Sequence, residues 1–268
     1  MKNSKRRVCI AITLSAILLL LIYEILGMLR LGAEDLVSDP SVGKSLGMII
    51  TRALGSVVFI TILVYLGYRV KDPVKGLGGA VLFSLPAFAV AINNLPIYPL
   101  ATDLAEVTAP PWRILLLALE CLLVGLFEET CFRGVIFLGF LEKRRRTKRG
   151  QLIAILLSAA VFGAVHLLNL FLGASPVAVL MQIGYSFLIG AMCSVVLIKT
   201  ANIWLCAFLH GLFNFCGAVV PTCGSGRIWE PFTITLTVLI ALAATAYFTV
   251  AFFRADCSEC DRLYPECD

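Results

Sequence analysis

The sequence predicts an all-α fold: a polytopic bundle of about eight transmembrane helices around an intramembrane polar cavity. Three observations predict it. Of the 268 residues, 60% are apolar and only 15% charged, whereas a soluble domain is nearer half apolar and a quarter charged. Apolar runs of about 20 residues, the length that crosses a hydrocarbon core of roughly 30 Å, recur along the whole chain. The few ionisable groups deep inside those runs must face a bundle interior or a watery cavity, because a charge at a helix centre costs about 2.5–3.5 kcal/mol on insertion scales.

The first run, Val8–Met28, follows MKNSKRR, a start that resembles a signal peptide. Its length, the internal Glu24 and the lack of a small-residue cleavage site favour an uncleaved first helix. Gly47–Tyr68 is the second span, and Leu77–Ile92 a short third that carries Pro86. Trp112–Leu141 follows with charges in its middle, then Leu152–Leu172, Pro176–Ile198, Ile203–Val220 and Pro231–Phe253. The connections are too short for a soluble domain, and no internal repeat interrupts them. The expectation is a single integral membrane domain, 1–268, with its chemistry in 112–220 and a short cysteine-containing tail, 255–268.

Basic residues orient the helices. With Lys2, Lys5, Arg6 and Arg7 in the cytoplasm, alternation through eight crossings also places Arg69, Lys71, Lys75, the KRRRTKR run, Lys199, Arg254 and Arg262 there. The other side receives only Arg30, Lys44, Arg52, Arg113 and Arg227. Both termini are therefore expected in the cytoplasm, and the protein in the plasma membrane. The net charge of +5 needs no nucleic acid; the basic run reads as a topology signal in contact with lipid headgroups. Most of the ten cysteines lie in apolar segments, as small hydrophobes. Cys257, Cys260 and Cys267 in the tail lack a fourth metal ligand and read as free thiols.

Glu24, Glu120, Glu128, Glu129, Arg133, His166 and His210 are the main ionisable residues inside the apolar runs. Glu129 and Arg133 stand i,i+4 with the acid first, the favourable order for a helical ion pair. Glu128 points about 100° away and has no such partner, which leaves one carboxylate available to take up a proton. Both histidines of the chain fall in apolar helices, His166 in VFGAVHLLN and His210 in FLHGLFNF. His210 shares a helix face with Asn214, and His166 with Phe162. Counted from the cytoplasmic ends, Glu128 lies roughly 20 Å deep, His166 roughly 22 Å, and His210 with Asn214 roughly 12–18 Å. Overlapping depth on three helices points to one site.

With these residues the chain resembles the CPBP family of intramembrane endopeptidases (also called Abi, or type II CAAX prenyl endopeptidase-like). The family's three motifs read here as EETCFR, FGAVH and HGLFN, in order, with no motif position departing. The resemblance implies a water-filled intramembrane cavity and hydrolysis of a peptide bond in a membrane-anchored or amphipathic substrate, such as CAAX-type, bacteriocin or peptide-signal precursors. It implies that Glu128 activates water with His166, that His210 and Asn214 stabilise the oxyanion, and that Glu129 with Arg133 forms a structural ion pair beside them. Membrane lipids are the other expected partners. No cofactor is favoured. The alternative is a zinc ion held by Glu128, His166 and His210, a two-His-one-carboxylate set; against it, H-E-x-x-H is absent and Glu129 would be the only base left. Two readings outside proteolysis also place ionisable groups at mid-depth: a transporter with a proton relay, and a non-enzymatic immunity-type scaffold.

Overall fold

The computed structural model describes residues 37–70 and 76–265. The expected first span Val8–Met28, with Glu24, and the tail residue Cys267 lie outside them.

Helix α1 (Pro40–Leu66) starts earlier than expected because Asp39 caps it, accepting from the Ser41 amide at 2.9 Å, with Pro40 preset for the first turn. It stops at Gly67, whose φ of +69° is left-handed. The short span carrying Pro86 is broken into α2 (Gly76–Phe83) and α3 (Leu85–Asn93), bent by 57° at Ser84. Proline has no amide to continue the ladder and its ring crowds the preceding turn. The Ala87 amide bonds Ser84 instead of Phe83, and the freed Phe83 carbonyl accepts the Tyr247 hydroxyl at 3.1 Å.

A short helix, α4 (Ile97–Ala101), leads to strand β1 (Ala105–Val107). Next come α5 (Pro111–Glu129), a wider π-helical segment (Thr130–Phe137) and α6 (Leu138–Glu142). Helix α7 (Lys148–Val165) ends in a 3-10 turn (His166–Leu170), so His166 lies at a helix end rather than within a regular helix. Helices α8 (Pro176–Thr200), α9 (Ile203–Cys223) and α10 (Pro231–Arg254) follow. Strand β2 (Gly224–Gly226) pairs antiparallel with β1, Ala105 opposite Gly226. This ribbon joins two interhelical loops and has no hydrophobic alternation to announce it.

Among the described residues, α1, α7 with its 3-10 turn, α8, α9 and α10 are long and apolar enough to cross a membrane, and the bent pair α2–α3 makes a sixth candidate. Helix α5 is not among them, because Arg113, Glu120, Glu128 and Glu129 lie along it. The fold is the expected all-α polytopic bundle. Its core centres on the π segment, where every residue is buried. Phe132 packs on Phe162 with ring centroids 4.7 Å apart, and Ser158 donates to the Phe132 carbonyl at 3.1 Å. That hydroxyl serves a buried carbonyl in a stretch where the regular ladder is broken.

Candidate active site

Glu128 and Glu129 end α5, and Arg133 stands on the π segment that continues it. A π segment inside a helix is frequent at functional sites. The Glu129 Oε1 and Arg133 Nη1 atoms are 3.1 Å apart, and neither side chain has any exposed surface. The i,i+4 ion pair expected from spacing is present. Arg133 also lies 4.4 Å from the centroid of the Phe162 ring, so a π face helps to hold a charge that has left water. The guanidinium fits because residue 190 on α8 has no side chain: a Cβ there would stand 2.5 Å from Arg133 Nη2.

His210, on α9, is held between the two carboxylates. Its Nδ1 lies 2.8 Å from Glu129 Oε1, and its Nε2 lies 3.4 Å from Glu128 Oε2. A carboxylate ion-paired to arginine only accepts hydrogen bonds, so Nδ1–H is the donor and the proton on that nitrogen is fixed. Nε2 is left facing Glu128, which keeps 14% of its side-chain surface while Glu129 keeps none. This close approach depends on two glycines. A Cβ at Gly125 on α5 would meet the Ala207 carbonyl at 2.5 Å, and one at Gly211 on α9 would meet the Leu122 Cα at 2.9 Å. Backbone therefore runs against backbone where the helices cross, as small residues permit in membrane bundles.

Phe162 ties the third motif residue to the others. Its ring stands edge-on to His166 at 5.3 Å and to His210 at 5.6 Å. His166 is half-buried at the start of the 3-10 turn. Asn214 lies one turn beyond His210 on α9, half-buried, and its side chain makes no hydrogen bond among the described residues. Asn169, three residues after His166, donates to Gln182 at 2.8 Å. Glu120 lies beside Ser45 and Lys44 of α1, apart from this group. Two contributors were missed in the sequence. Gly190 stands in no motif, and Tyr185 on α8 lies near enough to Glu128 to feel its charge, with its ring 5.8 Å from that of Phe213.

Residues 110–216 match the family model for Type II CAAX prenyl endopeptidase Rce1-like proteins. These residues form an Rce1-like domain. No curated protein and no solved structure matches the chain. The Rce1-like domain runs from the start of α5 into α9 and includes all six residues of the charged and histidine-bearing group, Asn214 among them. The family is one of peptidases, and the apolar helices make the protein an integral membrane one.

Within the Rce1-like domain, two of the three donors named for zinc face each other, Glu128 Oε2 and His210 Nε2 at 3.4 Å. Among the described residues no three His, Cys, Asp or Glu side chains stand so as to hold a metal ion. His210 has one ring nitrogen bonded to Glu129, so only Nε2 could serve as a ligand.

Proposed function

We propose that the protein is an intramembrane endopeptidase in which Glu128 acts as general base on a water molecule, without a metal. The observation that carries this reading is the placement of His210 between Glu128 and the Glu129–Arg133 pair. Two carboxylates and one guanidinium leave one negative charge in a nearly dry site. The oxyanion role requires a proton on His210 Nε2, which makes that nitrogen a donor. Glu128, the more accessible carboxylate, takes a proton from water as the resulting hydroxide attacks the peptide carbonyl. His166 holds that water. The developing oxyanion accepts hydrogen bonds from His210 Nε2–H and from the Asn214 amide, which has no other partner among the described residues. Glu128 then returns its proton to the departing amine as the C–N bond breaks. Glu129 and Arg133 hold the imidazole in place throughout.

The substrate we propose is a membrane-anchored or amphipathic polypeptide, with a prenylated CAAX-type C-terminus as the first chemistry to try. The test reconstitutes the full chain in lipid nanodiscs with a quenched fluorescent farnesylated CAAX peptide, with and without a chelator. Wild-type protein is expected to cleave equally in both buffers. Glu128→Gln is expected to lose about 10²–10⁴-fold in turnover with unchanged helix content by circular dichroism. Full turnover by Glu128→Gln would overturn the general-base role, and loss of activity on chelation would overturn the metal-free mechanism.

A further inference from the structure

An apolar groove of about 240 Å³ lies between α7, α8 and α10, away from the charged site. Leu152 and Ile155 of α7, Met192 and Val195 of α8, and Ala244 and Phe248 of α10 line it. Helix α10 packs on α3 and α8 more than on α7, and most of its surface faces outward. The groove therefore opens sideways toward lipid.

Its mouth is basic. Lys148, one helical turn before Leu152, donates from Nζ to the Phe252 carbonyl at 2.9 Å and lies 4.9 Å from the centroid of that ring. Phe252 itself lines the groove. Arg149, which follows Lys148 in sequence, and Arg254, two residues after Phe252, are both exposed. Lys199, one turn beyond Val195, is paired with Glu259 at 2.8 Å. Asp256, near enough to Lys148 to feel its charge, caps the following turn through the Ser258 amide at 2.8 Å. Three cations against one engaged carboxylate leave an excess of positive charge at this end of the apolar groove.

We propose that this groove binds an anionic phospholipid, with one acyl chain between α7, α8 and α10 and the phosphate at Lys148, Arg149 and Arg254. Basic pockets between transmembrane helices hold anionic headgroups in this way. Charge complementarity also selects among occupants. The chain's own apolar segment Val8–Met28 is preceded by Lys2, Lys5, Arg6 and Arg7, which would add like charges to a basic mouth. A second copy packed symmetrically would set the same cations against themselves.

The test is native mass spectrometry of the full chain released from detergent after titration with phosphatidylglycerol or phosphatidylcholine. Wild-type protein is expected to retain one phosphatidylglycerol in preference to phosphatidylcholine. Arg149→Gln with Arg254→Gln should lose that preference by roughly fivefold for each side chain removed. Thr249→Trp, at an exposed position that lines the groove, should lose retention of both lipids. Equal retention of the two lipids by wild type, or an unchanged preference in both variants, overturns the proposal. So does a protein that retains neither lipid, the outcome expected if Val8–Met28 or a second copy fills the groove.

Discussion

At the scale of single residues, the site depends on how a fully buried arginine is accommodated. Arg133 has one ion pair, the rings of Phe162 and Phe132, and a space on α8 where a side chain is missing. Gly190→Ala would put a methyl group 2.5 Å from Nη2, so the guanidinium must shift and carry Glu129 and His210 with it. Over-packing of this kind costs about 1–3 kcal/mol, and a shift of about 1 Å at a catalytic group costs about 10²-fold in rate. The expected result is a lower thermal midpoint together with that loss of turnover. Gly184→Ala on the same helix meets nothing within 4 Å and should keep turnover without lowering the midpoint, which separates the arginine slot from a general intolerance of α8. The ion pair was legible in the sequence because i,i+4 spacing on one helix fixes which side chains meet. The bracketing of His210 was not, because it depends on the distance between two helices 81 residues apart in sequence. For the same reason Gly190 carried no signal: its neighbour is a side chain on another helix.

At the scale of elements, the crossing of α5 and α9 sets the distance between acid and imidazole. Gly125 stands one turn before Glu128 and Gly211 directly after His210, so the contact of backbones lies beside the functional groups. Gly125→Ala would place a methyl group 2.5 Å from the Ala207 carbonyl and 2.6 Å from the Gly211 amide nitrogen. Backbone on both sides leaves little room to yield, and the helices must separate. The 2.8 Å contact between His210 and Glu129 would lengthen, with turnover of the farnesylated peptide reduced by about 10²-fold and KM changed little. A wild-type kcat in this variant would show that the crossing does not position the imidazole. Hydrophobic runs of about 20 residues made most of these helices legible. Their departures from regularity were visible only where proline forces one, as at Pro86; the π segment, packed through Phe132 on Phe162 and Ser158, and the 3-10 turn at His166 have no such residue to announce them.

At the scale of the whole molecule, one end of the bundle is closed by the segment after α10. The Leu263 carbonyl accepts the Arg69 amide at 2.9 Å, the Tyr264 hydroxyl donates to the Leu138 carbonyl at 2.7 Å, and Arg145 pairs with Asp261. Arg262 donates to the Ile198 carbonyl at 2.7 Å, and Lys199 meets Glu259 at 2.8 Å. Among the basic residues expected on one side of the membrane, Arg69, Arg145, Lys199 and Arg262 thus gather at one end of the bundle. The sequence showed where the cations were but not that Asp256, Glu259 and Asp261 answer them, since a short tail with cysteines has no pattern of its own. Cys257 and Cys260 are free thiols within this clamp. Burial alone would raise the Glu259 carboxyl, but the hydrogen bond and charge of Lys199, with the Asp256 amide and Arg262, hold it below the ordinary range. Asp256 is also lowered, first by the Ser258 hydroxyl and amide. A carboxylate lowered in the folded state contributes stability that is complete above its unfolded value, about 4 for these groups, and is lost as pH falls through the folded value. Hydrogen-exchange protection factors for 257–264, corrected for intrinsic rates, should therefore stay constant from pH 7 to about pH 5 and fall below about pH 4. Glu259→Gln should lower protection at neutral pH and flatten its acid dependence. Protection that already declines between pH 7 and pH 5 would mean that some group other than these carboxylates fastens the tail.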